Sequence, residues 1–209
     1  MNQAKPTVLI VDDDSSMRDS LGRLVRSVGL DVKLLASLPE FLKSGRPDGP
    51  TCVVLDVRLP GRSGLDFQRD LADANVHVPI VFITGYGDIP MSVQAMRGGA
   101  VAFLTKPFRD QDLIDAIHVG LARDQAWQES ERAVASLRER FATLSRRERE
   151  VMGEVVKGRI NKQIAADIGI SEITVKVHRG QVMRKMKASS LPDLVRMADK
   201  LRLLLEKAK

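Results

Sequence analysis

At 209 residues the chain is long enough for two small domains, each with its own core, because domains mostly run about 100 to 150 residues. A single cysteine, Cys52, excludes an intramolecular disulfide; no apolar run approaches the roughly 18 residues that span a bilayer, and the opening MNQAKPTVLIVDDD lacks the apolar stretch and cleavage site of a secretory signal, so a cytoplasmic protein without membrane attachment is expected. The net charge of +6 is uneven: residues 1–124 carry 14 Lys and Arg against 16 Asp and Glu, whereas residues 125–209 carry 19 against 11, and the two parts are expected to meet different partners.

The acidic part alternates short apolar runs with helical spacing. Strands are predicted over 7–11, 32–35, 52–55, 79–84 and 102–105. Between them, helical stripes fall at Met17, Leu21, Leu24, Val25 and Val28, at Phe41 and Leu42, at Leu65, Phe67 and Leu71, and at Val93 and Met96; Leu113, Ile117 and Leu121 form a fifth. Five strands alternating with five helices predict a doubly wound (βα)5 fold of the α/β class, a five-stranded parallel sheet covered on both faces. The helical signal then runs from about residue 110 to 144. Trp127, Val134, Leu137, Phe141 and Leu144 fall near heptad a and d spacing, with Ser130 at one polar position, so this linker helix can either pair with a copy of itself or pack as an ordinary amphipathic helix on its own domain.

The basic part shows no strand signal and reads as all-α. Ser145 and Glu148 have the spacing of a capping box, Gly158 ends that first helix, Asn161 is the expected cap of KQIAADI, and Ser171 that of EITVKVHRGQVMRKMK. Pro192 suits the first turn of a last helix whose stripe is Leu194, Met197, Leu201 and Leu204. Ala165 and Gly169, four apart between two short helices, fit a helix-turn-helix: the small residue admits close packing and the glycine makes the turn. Its second helix would enter a major groove, carrying Thr174, Lys176, Val177, His178 and Arg179, with Arg184 and Lys185 further along. Lys176 or Arg179 can read guanine or hold a phosphate, and Val177 can touch a thymine methyl; Val175 and Val182 read as core.

The first strand ends in Asp12-Asp13-Asp14 and the third in Asp56. An open parallel sheet delivers residues at the C-terminal ends of neighbouring strands into one crevice. Two like charges about 4 Å apart repel by roughly 4 kcal/mol at an effective dielectric near 20, so a cation or raised pKa values must offset them. Oxygen ligands with open positions suit Mg²⁺, and an aspartate can be a nucleophile that forms an acyl phosphate. The strand ends also carry Thr84 and Lys106, a hydroxyl and an ammonium suited to phosphoryl oxygens.

Residues 5–124, with VLIVDDD, VVLDVRLPGRSG, IVFITG and FLTKPF in order, resemble the response-regulator receiver domain. That resemblance implies that Asp56 is phosphorylated by a histidine kinase, and that Asp12, Asp13, Asp56 and the backbone carbonyl of Arg58 arrange Mg²⁺, for which Mn²⁺ can substitute. It further implies that Thr84 and Lys106 grip the phosphoryl group, that Lys106-Pro107 is cis, and that Phe103 changes rotamer. Arg58 and Tyr86, each two residues beyond a site residue, can flank the acyl phosphate and block an attacking water, which predicts a long-lived phosphoryl state.

Residues 142–205, with LSRREREV, NKQIAADIGISEITVKVHRGQVMRKM and SLPDLVRMA, resemble the LuxR-type four-helix DNA-binding domain, and the whole chain resembles the FixJ/NarL response regulators. The organisation expected is a receiver over 1–124, a linker helix over 125–141 and a helix-turn-helix domain over 142–209. The implied function is transcriptional control by phosphorylation, dimerisation and promoter binding, with the sensor kinase, double-stranded DNA, a second copy and RNA polymerase as partners. Gly180 departs from relatives that carry a side chain there. A phosphohydrolase using Asp56 as nucleophile would need an acid two residues on; Arg58 stands there instead, and no enzymatic activity is expected.

Overall fold

The computed structural model describes the backbone of residues 5–207 and side chains as far as Leu201; Leu204 of the predicted last stripe lies outside the described side chains. The chain divides into two compact units, Met1–Gln128 and Glu129–Lys209. In chain order the first runs β1 (Thr7–Val11), α1 (Ser15–Ser27), β2 (Asp31–Leu35), α2 (Leu38–Ser44), β3 (Thr51–Asp56), β4 (Arg58–Leu59), β5 (Arg62–Ser63), α3 (Gly64–Asp73), β6 (Ile80–Thr84), α4 (Ile89–Arg97), β7 (Ala102–Thr105) and the start of α5 (Asp110–Ala142). The five predicted strands are present to within a residue at each end and form one parallel sheet in the order β2-β1-β3-β6-β7. The β4–β5 hairpin, two residues a side, is too short to leave a periodic signal and was not expected.

Strand alternation divides the core in two. Leu9, Val11, Val53, Leu55, Ile80 and Phe82 face a cluster completed by Leu38, Leu65, Phe67, Leu71 and Ala95, from α2, α3 and α4. Val8, Ile10, Cys52, Val54, Val81 and Ile83 face the opposite cluster, completed by Leu21 and Val25 of α1 and Leu113, Ile117 and Leu121 of α5. β3 is buried along its whole length, so its end is where a charge first reaches the rim.

At the opposite edge of this sheet, Asp124 of α5 is fully buried and holds three donors: Arg46 Nη2 at 2.5 Å, the backbone N–H of Thr51 at 2.8 Å and Gln128 Nε2 at 2.9 Å. Trp127, one turn on, stacks on His77 at 4.7 Å, with the Arg46 guanidinium 5.1 Å from its ring. Trp127 is engaged within the first unit, and Leu137, Phe141 and Leu144 pack into the core of the second, which is the ordinary amphipathic alternative.

The second unit adds α6 (Arg146–Val156), α7 (Asn161–Ile168), α8 (Glu172–Met186) and α9 (Leu191–Lys207) around Val151, Ile164, Val175, Val182, Met186 and Leu194. Gly169 ends α7 at φ +68°, a conformation that favours glycine, and its N–H reaches back to the Ala165 carbonyl. Ser171 caps α8 by accepting from Thr174 N. The expected Asn161 cap is not made: Ile160 holds the cap position, its N–H donating to Gln163 Oε1, while Asn161 Oδ1 accepts from Arg179 Nη1 at 3.0 Å and so ties α7 to α8.

At the start of α6, Ser145 and Glu148 form the expected capping box. Lys185 Nζ reaches Glu148 Oε2 at 2.6 Å and the Thr143 carbonyl at 3.2 Å. The Lys185 bond, helped by the Ser145 N–H, holds the Glu148 carboxyl below its usual 4.5. A depressed carboxylate contributes stability above its unfolded pKa and loses it as pH falls through the folded one. Glu148→Gln is therefore expected to destabilise the protein by about 1 to 2 kcal/mol near neutral pH, the gap to wild type narrowing as pH falls below 4.5, as read by denaturant unfolding across pH.

Candidate functional site

Register decides which residues meet at the C-terminal edge of the sheet. β1 pairs Val11 with Leu55, so Asp12 and Asp56, one position on, leave adjacent strands side by side. Asp56 stands opposite Ile83 with Thr84 next, and Thr84 stands opposite Thr105 with Lys106 next. Open α/β sheets hold their ligands in this crevice.

Lys106 Nζ lies 3.0 Å from Asp12 Oδ2 and 2.8 Å from Asp56 Oδ2. Asp12 is 1% exposed and Asp56 7%. Their other oxygens accept backbone N–H groups, Asp12 Oδ1 from Asp14 and Asp56 Oδ1 from Arg58, each at 2.9 Å. The offset that an acid pair requires is thus supplied by one ammonium. Burial pushes the Asp12 carboxyl above its usual range against the pull of Lys106. For Lys106 burial acts to lower the pKa, and the bonds to Asp56 and Asp12 together outweigh it, so the ammonium is held charged.

Asp13 is exposed, and among the described residues no three His, Cys, Asp or Glu side chains gather around one point, so the structure brings two of the three expected carboxylates together. Two carboxylates, completed by water and phosphoryl oxygens, are a donor set that suits Mg²⁺.

Thr84 is fully buried, and its Oγ1 accepts from Tyr86 N at 3.2 Å. The exposed Tyr86 ring lies 4.4 Å from the Arg58 guanidinium, a cation–π pair. Phe103 is partly buried, its ring 6.3 Å from that of Phe82, and Lys106-Pro107 is cis. Sequence reasoning missed Gly87. A Cβ there would lie 2.6 Å from Thr105 Cγ2, 2.9 Å from Phe103 Cε1 and 3.3 Å from Thr84 Cγ2, so the ring and the threonine occupy the space that a side chain would take.

In the second unit, α8 follows the Gly169 turn, and its sides are sharply different. Val175, Val182 and Met186 are buried, as expected for the two valines, whereas Val177, Lys176 and Ile173 are exposed. His178 is half-buried. Several expected DNA contacts have partners within the unit: Thr174 Oγ1 with Ser171 Oγ, Arg179 with Asn161, Arg184 with Gln181 and Lys185 with Glu148.

Residues 8–118 match the family described as response regulator receiver domain, and residues 142–198 match bacterial regulatory proteins, luxR family. The chain belongs to the FixJ/NarL family of response regulators. This response regulator is 57% identical over 197 residues to nodulation protein W of Bradyrhizobium diazoefficiens, covering 94% of this chain and 87% of that one. Among solved structures it is similar to the response regulator StyR, at 45% identity and TM-score 0.85 over 94% of this chain and all of that one. Full-length FixJ from B. japonicum matches at 39% identity and TM-score 0.56, covering 96% and 99%. A receiver joined to a LuxR-type DNA-binding unit makes the chain a phosphorylation-regulated transcriptional regulator. No helix among the described residues is long and apolar enough to cross a membrane.

Removing the shared ammonium leaves two poorly hydrated carboxylates facing each other. Lys106→Met should cost about 3 kcal/mol of stability near neutral pH, much of it recovered as acid protonates the pair; melting temperature across pH reads this, and a loss independent of pH would contradict it.

Proposed function

We propose that this response regulator is switched by transfer of a phosphoryl group from a phosphohistidine of a sensor kinase to Asp56, and that the phosphorylated chain dimerises and binds promoter DNA. The observation that carries this reading is Asp56 at the end of a wholly buried strand, one oxygen facing Lys106, with Thr84 at the end of the next strand. An Asp56 oxygen attacks phosphorus, the bond to the histidine nitrogen breaks, and Asp56 holds an acyl phosphate of nearly two negative charges. Asp12, Asp56 and, by resemblance, Asp13 and the Arg58 carbonyl would hold Mg²⁺ or Mn²⁺, which neutralises charge on the phosphoryl oxygens when bound. Lys106 would turn from the carboxylates to those oxygens and Thr84 would give up its bond from Tyr86 N to donate to them.

Withdrawal of Thr84 opens space beside Phe103, and the face of α4, β7 and α5 repacks as a population shift. Ile89, Val93 and Met96, exposed on α4 at helical spacing, support that face as the dimer contact. The Arg58–Tyr86 pair supports a long-lived phosphoryl state by covering the approach of water. We take residues 1–124 as the receiver, 125–141 as the linker and 142–209 as the DNA-binding domain, with RNA polymerase the further partner of the DNA-bound form. A relative from Azorhizobium caulinodans, 46% identical over 191 residues, is named transcriptional regulatory protein FixJ, in keeping with a non-enzymatic role.

Incubation with acetyl phosphate and Mg²⁺ should label the wild-type chain with an acid-labile phosphoryl group and raise the dimer fraction in light scattering. Asp56→Asn should remove both effects. Label that persists in Asp56→Asn, or label that decays within seconds, contradicts the respective part of the proposal.

A further inference from the structure

Helix α8 has two apolar faces, and only one is used by the fold. Val175, Val182 and Met186 follow one stripe and are buried among the core of the second unit. Ile173, Val177 and Gly180, at i, i+4 and i+7, follow another, on the opposite side of the helix. Ile173 is 77% exposed and Val177 56%. Isolated apolar residues on a surface need no explanation, but these two adjoin on one ridge of a helix whose flank is basic, with Lys176 exposed beside them.

Gly180 completes the ridge with a notch. A Cβ built there meets nothing within 4 Å, and its φ lies outside the region that favours glycine, so neither packing nor backbone geometry calls for it. A glycine in a helix interior nevertheless weakens the helix relative to alanine. The absent side chain leaves room for another molecule's atoms to approach the helix backbone.

Of the cations along α8, Lys176 and Arg184 are exposed, whereas Arg179 and Lys185 are partly buried and held by partners within the unit. Arg179 donates to Asn161, Lys185 to Glu148, and Arg184 to Gln181. In its first half α8 thus presents the branched hydrocarbon of Ile173 and Val177 outward, beside the charged Glu172 and Lys176. In the major groove the apolar group that distinguishes base pairs is the thymine 5-methyl.

We propose that the specificity of this regulator is set by methyl recognition: Ile173 and Val177 seat against thymine methyl groups, and Gly180 lets the helix backbone close onto the DNA, while Lys176 contributes phosphate contact without sequence information. The proposal rests on the DNA-binding reading above and adds the base chemistry, with Ile173 and Gly180 as determinants alongside Val177.

The test uses the full phosphorylated chain and a duplex selected by it from a random-sequence pool, prepared once with thymidine and once with deoxyuridine in its place. Wild type should bind the deoxyuridine duplex about fourfold more weakly for each methyl contacted. Ile173→Ala and Val177→Ala, at exposed positions, should each bind the thymidine duplex more weakly, discriminate less between the two duplexes, and leave the salt dependence of affinity unchanged. Lys176→Ala should flatten the salt dependence by about one unit of slope and keep the discrimination. Gly180→Ala should melt at a higher temperature yet bind several-fold more weakly. Equal affinity of wild type for both duplexes, or full affinity in Gly180→Ala, overturns the proposal. If no duplex is selected from the pool at all, the DNA-binding reading itself falls, which is a different failure.

Discussion

One ammonium shared by two buried carboxylates organises the first unit. Lys106 can reach Asp12 and Asp56 together only because β1, β3, β6 and β7 are parallel neighbours in register, so their C-terminal residues share one rim. Each carboxylate also spends one oxygen on a backbone N–H, leaving the other oxygen of each for the same cation. A site held in this way is stable while its charges balance and responsive when they change. Under the proposed phosphorylation, added charge would compete for Lys106 directly, and Thr84, buried beside it with a backbone donor on its hydroxyl, would be the next group to respond.

Much of this was legible in the residues. Alternation in VLIV and VVL follows from a sheet buried on both faces, and the acids at the strand ends follow from the crevice that such sheets form. What stayed hidden was pairwise geometry. The sequence called for a cation to offset Asp12 and Asp56 and named Lys106 for a different task; only register shows that the same ammonium can do both. Gly87 carried no signal beyond a loop glycine, because its meaning depends on Phe103 and Thr105, which lie at least 16 positions along the chain.

The second unit shows the opposite balance between pattern and geometry. Its caps and turn are local, so Ser145, Ser171 and Gly169 were readable from spacing, whereas Asn161 was misplaced because Arg179, 18 positions on, draws its side chain away. The linker seam left two readings open for a related reason. Heptad spacing states that a face is apolar, not what covers it, and here Trp127 and Leu137 are each covered by their own unit. The same ambiguity in α8 resolves the other way, with Val175 inside and Val177 outside.

The central claim is that charge arriving at the Asp12–Lys106–Asp56 cluster governs occupancy of DNA by the second unit. Footprinting on genomic fragments with the unmodified and the phosphorylated chain tests it most directly. The account predicts protection of defined sites at markedly lower protein concentration after phosphorylation. Identical protection in the two states would contradict it.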